Sequence, residues 1–143
     1  MKNTSCQNQS GDYLVYILKS DNYSYVGMTN NFFRRYLQHN RVLKGGAKYT
    51  SKYENWYPIC IIDGFQTMKE AMQCEWAVKH MKKIKYKNGP IRRILNLTEL
   101  LKKERWTSKS PKMNQQSLTI YIDGEFSHYL ENDTFPEKEL YWR

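Results

Sequence analysis

The chain has 143 residues, 40% hydrophobic and 15% aromatic, which suits one packed domain with a real core and excludes a disordered chain. A formal net charge of +9 points to an anionic partner, either nucleic acid or an acidic membrane surface. No apolar run approaches the about 20 residues of a membrane span, and MKNTSCQNQSG at the start lacks the apolar stretch of a signal peptide, so an intracellular, soluble protein is expected.

Residues 1–11 are polar and read as a mobile N-terminus. Asp12 to Lys19 is rich in Tyr, Val and Ile and reads as a strand buried on both faces. Ser20-Asp21-Asn22 is turn chemistry, and Tyr23 to Met28 follows as a second strand, antiparallel to the first. Gly27 marks either a bulge or a close approach of another backbone. Thr29 or Asn30 is a suitable cap for a helix running to about Leu43, ended by Gly45-Gly46. Arg35 and His39, four apart, share one face of that helix. The loop from Lys44 to Lys52 is basic and is expected to be mobile.

Trp56 to Asp63 is a third strand, with Pro58 implying an edge position or an early bulge. Thr67-Met68-Lys69-Glu70 is a capping box opening a helix to about Lys83. Its apolar stripe is expected to be Met68, Ala71, Met72 and Val78, with Glu75 in the middle. A carboxylate there needs a cation, a hydrogen-bond network or an opening to solvent. Pairing with a Lys or Arg, a place at the stripe edge, and a metal or catalytic role are all open. Trp76 beside it reads as packing.

Lys79, Lys82, Lys83, Lys85 and Lys87 make the next stretch basic, and Gly89-Pro90 starts a third helix. Residues 107–117 have the composition of a linker, and Asp123-Gly124 signals a small hairpin over 118–130. Residues 107–143 carry four Lys or Arg against six Asp or Glu, so the positive excess lies in the preceding body. Cys6, Cys60 and Cys74 are odd in number and far apart, which excludes a disulfide framework or structural zinc site. Cys60 and Cys74 read as small core residues.

The order strand, strand, helix, strand, helix, helix thus contains Tyr16, Tyr25, Arg35, His39 and Glu75. Taken singly, each has an ordinary explanation. The chain has 12 tyrosines, most suited to core rims, Arg34 and Arg35 suit a basic helix face, and His39 suits a surface or capping position. There is no Walker-type loop, H-E-x-x-H or serine elbow.

Jointly, Leu14-Val15-Tyr16, Tyr25-Val26-Gly27, Arg35, His39 and Glu75 resemble the GIY-YIG nuclease superfamily over about residues 12–83. The likeness is closest to the branch holding the catalytic subunit of the eukaryotic endonuclease that resolves branched DNA, through Val15-Tyr16-Ile17-Leu18, Tyr25-Val26-Gly27-Met28-Thr29, Arg34-Arg35-x-x-Gln38-His39-Asn40, Lys44-Gly45-Gly46-Ala47 and Cys74-Glu75-Trp76-Ala77. With the element order it implies an α+β nuclease domain, placed at 12–106 and built on a small three-stranded antiparallel sheet; composition and turn signals add 107–117 as linker and 118–143 as a hairpin-like appendage. It further implies hydrolysis of DNA at flaps, forks or junctions, with Tyr16 taking a proton from water and His39 positioning it. Tyr25 would orient water or phosphate, Arg35 would bind the scissile phosphate, and Glu75 would hold one Mg²⁺ or Mn²⁺. Arg34, Arg41, Lys44, Lys48 and Lys52 would contact phosphates, and Tyr49 and Tyr53 either stack on unpaired bases or anchor the loop.

That branch adds a cysteine-rich RING-type finger, whereas no cysteine follows Cys74 here, so docking to a scaffold subunit through such a finger is not implied. The C-terminal segment completes the fold, mediates self-association or shields the basic face. The asparagine often found beyond the glutamate in the superfamily is either Asn88 or Asn96. Cleavage of ordinary or damaged duplex, and binding of nucleic acid without catalysis, are the alternative activities.

Overall fold

The computed structural model describes residues 12–81 and 88–140. The expectations for residues 1–11 and for Lys82, Lys83, Lys85 and Lys87 lie outside the described residues. The elements are β1 (Tyr13–Ser20), β2 (Tyr23–Thr29), α1 (Phe32–His39), β3 (Tyr57–Phe65), α2 (Met68–His80), α3 (Gly89–Leu101), β4 (Thr119–Ile122) and β5 (Glu137–Glu139). One sheet has the order β2-β1-β3-β4-β5. The pairs β1–β2, β1–β3 and β3–β4 are antiparallel, and β4–β5 is parallel.

β1 and β2 form the expected hairpin, closed by Asp21 and Asn22, with Asp21 at φ 54°. β1 is buried on both faces because each side of the sheet carries a packed layer. Val15 and Ile17 join Cys60, Ile62 and residues of α2 and α3 such as Ala71, Cys74, Val78, Ile94 and Leu97. Leu14, Tyr16 and Leu18 face the opposite way, into a cluster with Phe32 of α1, Trp56 and Ile61. Cys60 and Cys74 are buried free thiols, whose burial raises them above their ordinary titration range.

The sheet has five strands, not the three expected. β3 is central, so Pro58 marks an early irregularity: pairing with β1 shifts register between Ile17 and Leu18, where Pro58 sits opposite Leu18. The hairpin expected over 118–130 does not form. β4 pairs with β3 instead, and Phe126 and Leu130 turn into the core before β5 returns parallel to β4. Thr98 Oγ1 holds that turn, donating to the Tyr129 carbonyl and accepting from the Glu131 amide.

Residues 107–117 do not behave as a solvated linker. Trp106 and Met113 are buried on either side of its first half, and the buried Ser110 hydroxyl accepts from the Thr107 amide. Its polar side chains are spent on local turn bonds, which composition alone does not distinguish from solvation.

α1 is shorter than expected at both ends. Asn31 caps it, accepting from the Arg34 amide at 3.1 Å, and it stops at His39 because Arg41 takes φ 64°. Gly45 and Gly46 lie past this end and fold back over the last turn. Gly45 has φ 104°, and a Cβ on Gly46 would overlap the Gln38 carbonyl.

Candidate active site

Tyr16 and Gly27 are directly opposite each other on β1 and β2. A Cβ on Gly27 would overlap the Tyr16 hydroxyl, so this glycine makes room for a side chain rather than for a backbone. The Tyr16 ring is fully buried, edge-on to Phe32 with ring centres 5.2 Å apart. Its hydroxyl meets His39 Nε2 at 2.7 Å, and His39 Nδ1 meets Thr50 Oγ1 at 2.8 Å. Both His39 and Thr50 are inaccessible to solvent.

Burial is the main cause that raises the Tyr16 phenol well above its ordinary range, with Tyr25 and Glu75 adding to it and the Arg35 charge opposing it. Burial, then the Arg35 charge, lowers His39 from 6.5 to about 4. The resting pair is therefore a neutral phenol hydrogen-bonded to a neutral imidazole at neutral pH.

Arg35 lies one turn before His39. Its Nη1 donates to Gln38 Oε1 at 2.9 Å and to the Gly45 carbonyl at 2.7 Å, so the guanidinium is held from one side. Tyr25, two residues before Gly27, is half-buried with its ring centre 4.7 Å from that of His39. Lys79 Nζ lies 5.9 Å from the centre of the Tyr25 ring and 3.1 Å from Glu75 Oε2, linking the carboxylate to the aromatic wall.

The buried face of α2 consists of Ala71, Cys74, Ala77 and Val78, whereas Met68 and Met72 are each 50% exposed. Glu75 thus borders the apolar stripe and is not inside it. Its place at the edge, with access to solvent, lowers the desolvation cost that its expected position implied, and its ion pair with Lys79 at i, i+4 offsets part of the rest. Trp76 is 57% exposed and stacks on His80, so it is a surface residue and not packing.

Among the described residues no cluster of three or more His, Cys, Asp or Glu side chains forms a metal cage. A lone, partly accessible carboxylate fits a different mode. Mg²⁺ is held by one or two carboxylates and completes its shell with waters and substrate phosphate oxygens. Glu75 with its remaining accessible surface suits a cation bound together with substrate.

The basic loop is strapped down, contrary to the mobility expected of it. Trp56 Nε1 donates to the Thr50 carbonyl, Asn40 exchanges two bonds with the Trp56 backbone, and Arg41 Nη1 donates to the Ser51 carbonyl. Lys44, Lys48 and Lys52 are exposed on it, and Arg34 is exposed on α1. Arg41 is exposed too, but Glu54 at 3.7 Å shares its charge. Tyr53 stacks on Tyr23 with centres 3.9 Å apart, which anchors the loop, while Tyr49 remains 39% exposed.

Asn88 caps α3 and binds Asn22, and Asn96 Nδ2 donates to the Met81 carbonyl, so both asparagines have structural partners. Thr50 enters the site although sequence alone assigns it no role, and Gln38 and Gly45, which sequence places in motif segments, enter it as partners of the Arg35 guanidinium. Gln38 is one helical turn from Arg35 on α1, whereas Gly45 and Thr50 lie in a loop whose residues have no periodicity, and only the folded path brings them to Arg35 and His39.

The model of the GIY-YIG catalytic domain matches residues 12–87, and the chain belongs to this family. Curated relatives carry a more specific description. A protein of Botryotinia fuckeliana called structure-specific endonuclease subunit slx1 is 39% identical over 111 residues, covering 74% of this chain and 26% of the relative. One of the same description from Neosartorya fischeri is 36% identical over 134 residues, covering 86% of this chain and 33% of the relative. A Giardia intestinalis homologue is 39% identical over 64 residues, covering 45% of this chain and 18% of the relative. The chain thus spans a third or less of the length of these relatives.

Proposed function

We propose that this chain is a metal-dependent DNA endonuclease acting on branched DNA such as flaps, forks or junctions in repair or recombination. The observation that carries the reading is the buried contact of Tyr16 with His39 beside Arg35. A phenol hydrogen-bonded to a neutral imidazole, next to a fixed guanidinium, suits proton removal from water at a phosphate. The names of the relatives support the preference for branched substrates.

Glu75 would hold Mg²⁺ or Mn²⁺, and the ion would neutralise phosphate charge and add Lewis acidity. Lys79 would give up its pairing with Glu75 to make room for that ion. Arg35 grips the scissile phosphate with the rest of its fork and stabilises the charge that develops there. Tyr16 is closed to solvent in the free protein, so DNA binding must uncover its hydroxyl. As water oxygen bonds to phosphorus, its proton then passes to Tyr16 Oη while the Tyr16 proton passes to His39 Nε2. One P–O ester bond breaks, and its oxygen takes a proton from solvent. Tyr25 orients the water or phosphate from the facing strand, while Arg34, Arg41, Lys44, Lys48 and Lys52 contact flanking phosphates without reading sequence.

The test is cleavage by clean wild-type protein of labelled flap, fork, junction and linear duplexes of one sequence, with Mg²⁺ and with Mn²⁺. Nicking near the branch and little cutting of linear duplex is the expected result. Equal cutting of linear duplex would overturn the branched preference, and no cleavage of any DNA would overturn the endonuclease reading.

A further inference from the structure

We propose that Thr50 is a positioning residue that fixes the tautomer of His39, so that Nε2 stays unprotonated and faces the Tyr16 hydroxyl. This rests on the reading of Tyr16 and His39 as a proton relay. It adds a residue and a proton assignment to that relay.

The assignment follows from counting protons. The Thr50 hydroxyl has a single hydrogen and lies 3.0 Å from the Ala47 carbonyl, which can only accept. Its hydrogen is assigned to Ala47, whose carbonyl also accepts from the Ser51 amide at 3.2 Å. The same oxygen lies 2.8 Å from His39 Nδ1, so it must accept there, and Nδ1 carries the ring proton. In a neutral imidazole this leaves a lone pair on Nε2. The 2.7 Å contact with Tyr16 is then a bond donated by the phenol. Protons are aligned in one direction, from Tyr16 to His39, with Thr50 closing the far end.

The fold keeps Thr50 in place from several sides. Its side chain is fully buried, its own carbonyl accepts from Trp56 Nε1 at 2.9 Å, and Asn40 pins the Trp56 backbone. The same loop supplies the Gly45 carbonyl that tethers Arg35. One strap thus orients both the imidazole and the guanidinium, and Lys48 and Lys52 flank Thr50 along it. A hydroxyl is needed at this position for its ability to accept at Nδ1 while donating elsewhere, which valine, of nearly the same shape, cannot do.

The experiment reads the tautomer directly. In wild-type protein with ¹⁵N-labelled histidine, long-range ¹H–¹⁵N correlation at neutral pH should show His39 with a protonated Nδ1 and an unprotonated Nε2. Thr50→Val should shift the ring toward the other tautomer or a mixture, and Thr50→Ser should restore the wild-type pattern. Single-turnover nicking of branched DNA should fall by about ten-fold or more in Thr50→Val, with unchanged DNA affinity, and recover in Thr50→Ser. Wild-type His39 protonated at Nε2 would overturn the inference without any variant. A folded Thr50→Val protein that nicks as fast as wild type would overturn it as well. If wild-type protein cleaves no DNA, the endonuclease reading fails, while the tautomer measurement still decides the proton assignment.

Discussion

The Tyr16 hydroxyl and His39 Nε2 share a 2.7 Å hydrogen bond that joins the first strand to the last residue of α1, with both side chains buried. Tyr16→Phe should keep the ring packing and lose the proton path. We expect nicking to fall by roughly 10²–10⁴-fold. Stability should fall by only about 1–3 kcal/mol from the unsatisfied Nε2. Single-turnover rates and thermal melts on the same preparation separate the two effects.

Gly27→Ala tests the other wall of the pocket. The added methyl group overlaps the Tyr16 hydroxyl and must push the ring away from His39. Overpacking of this kind costs about 1–3 kcal/mol, and nicking should fall as the Tyr16–His39 bond lengthens. A crystal structure of the variant with the 2.7 Å bond intact and full activity would contradict the assigned role of the glycine.

The depressed pKa of His39 gives stability a definite pH dependence. Its folded value of about 4 lies below the ordinary 6.5, so the unfolded chain binds more protons between them. The neutral ring's contribution is fully present above pH 6.5 and is lost as pH falls toward 4. Denaturant melts across that window should show wild type losing stability on acidification, and His39→Gln should lack that component.

Charge on the loop should act on affinity alone. Replacing Lys44, Lys48 and Lys52 by alanine should weaken DNA binding about equally for any sequence. It should also make the log-affinity against log-salt slope shallower by roughly 0.9 for each phosphate that is no longer neutralised. A change in sequence preference with an unaltered slope would show that these lysines do something else.

Removing residues after Trp106 should abolish folding and not merely free the basic face. Leu118, Ile120, Ile122, Phe126, Leu130 and Phe135 are buried in the main core. At roughly 1.5–3 kcal/mol per buried side chain, their sum rivals the whole stability of a domain of this size. Circular dichroism of the truncated chain provides the check.

Much of the first 80 residues was legible in sequence because local chemistry decides it. The Tyr23–Thr29 strand follows a two-residue turn, Thr67 caps α2, and the spacing of Arg35 and His39 sets both on one helix face. The aromatic pair of the hairpin, the helical arginine and the histidine do share one pocket in the structure. What escaped depends on distant partners. β5 is Glu-Lys-Glu, all exposed, with no alternation to mark it as a strand that pairs with β4. Met68 and Met72 fit a helical stripe, yet the α2 face against the sheet is lined by the smaller Ala71, Cys74 and Ala77, which let the helix approach closely. Thr50 is one threonine in a basic loop until the chain folds it against His39.

The most direct measurement is nicking of a labelled branched duplex by wild-type protein and by Glu75→Gln, with Mg²⁺, alongside DNA affinity without metal. Wild type should nick near the branch, and Glu75→Gln should bind equally well and cut nothing. A Glu75→Gln protein that cuts as fast as wild type would contradict the assignment of Glu75 to the metal and the mechanism built around it.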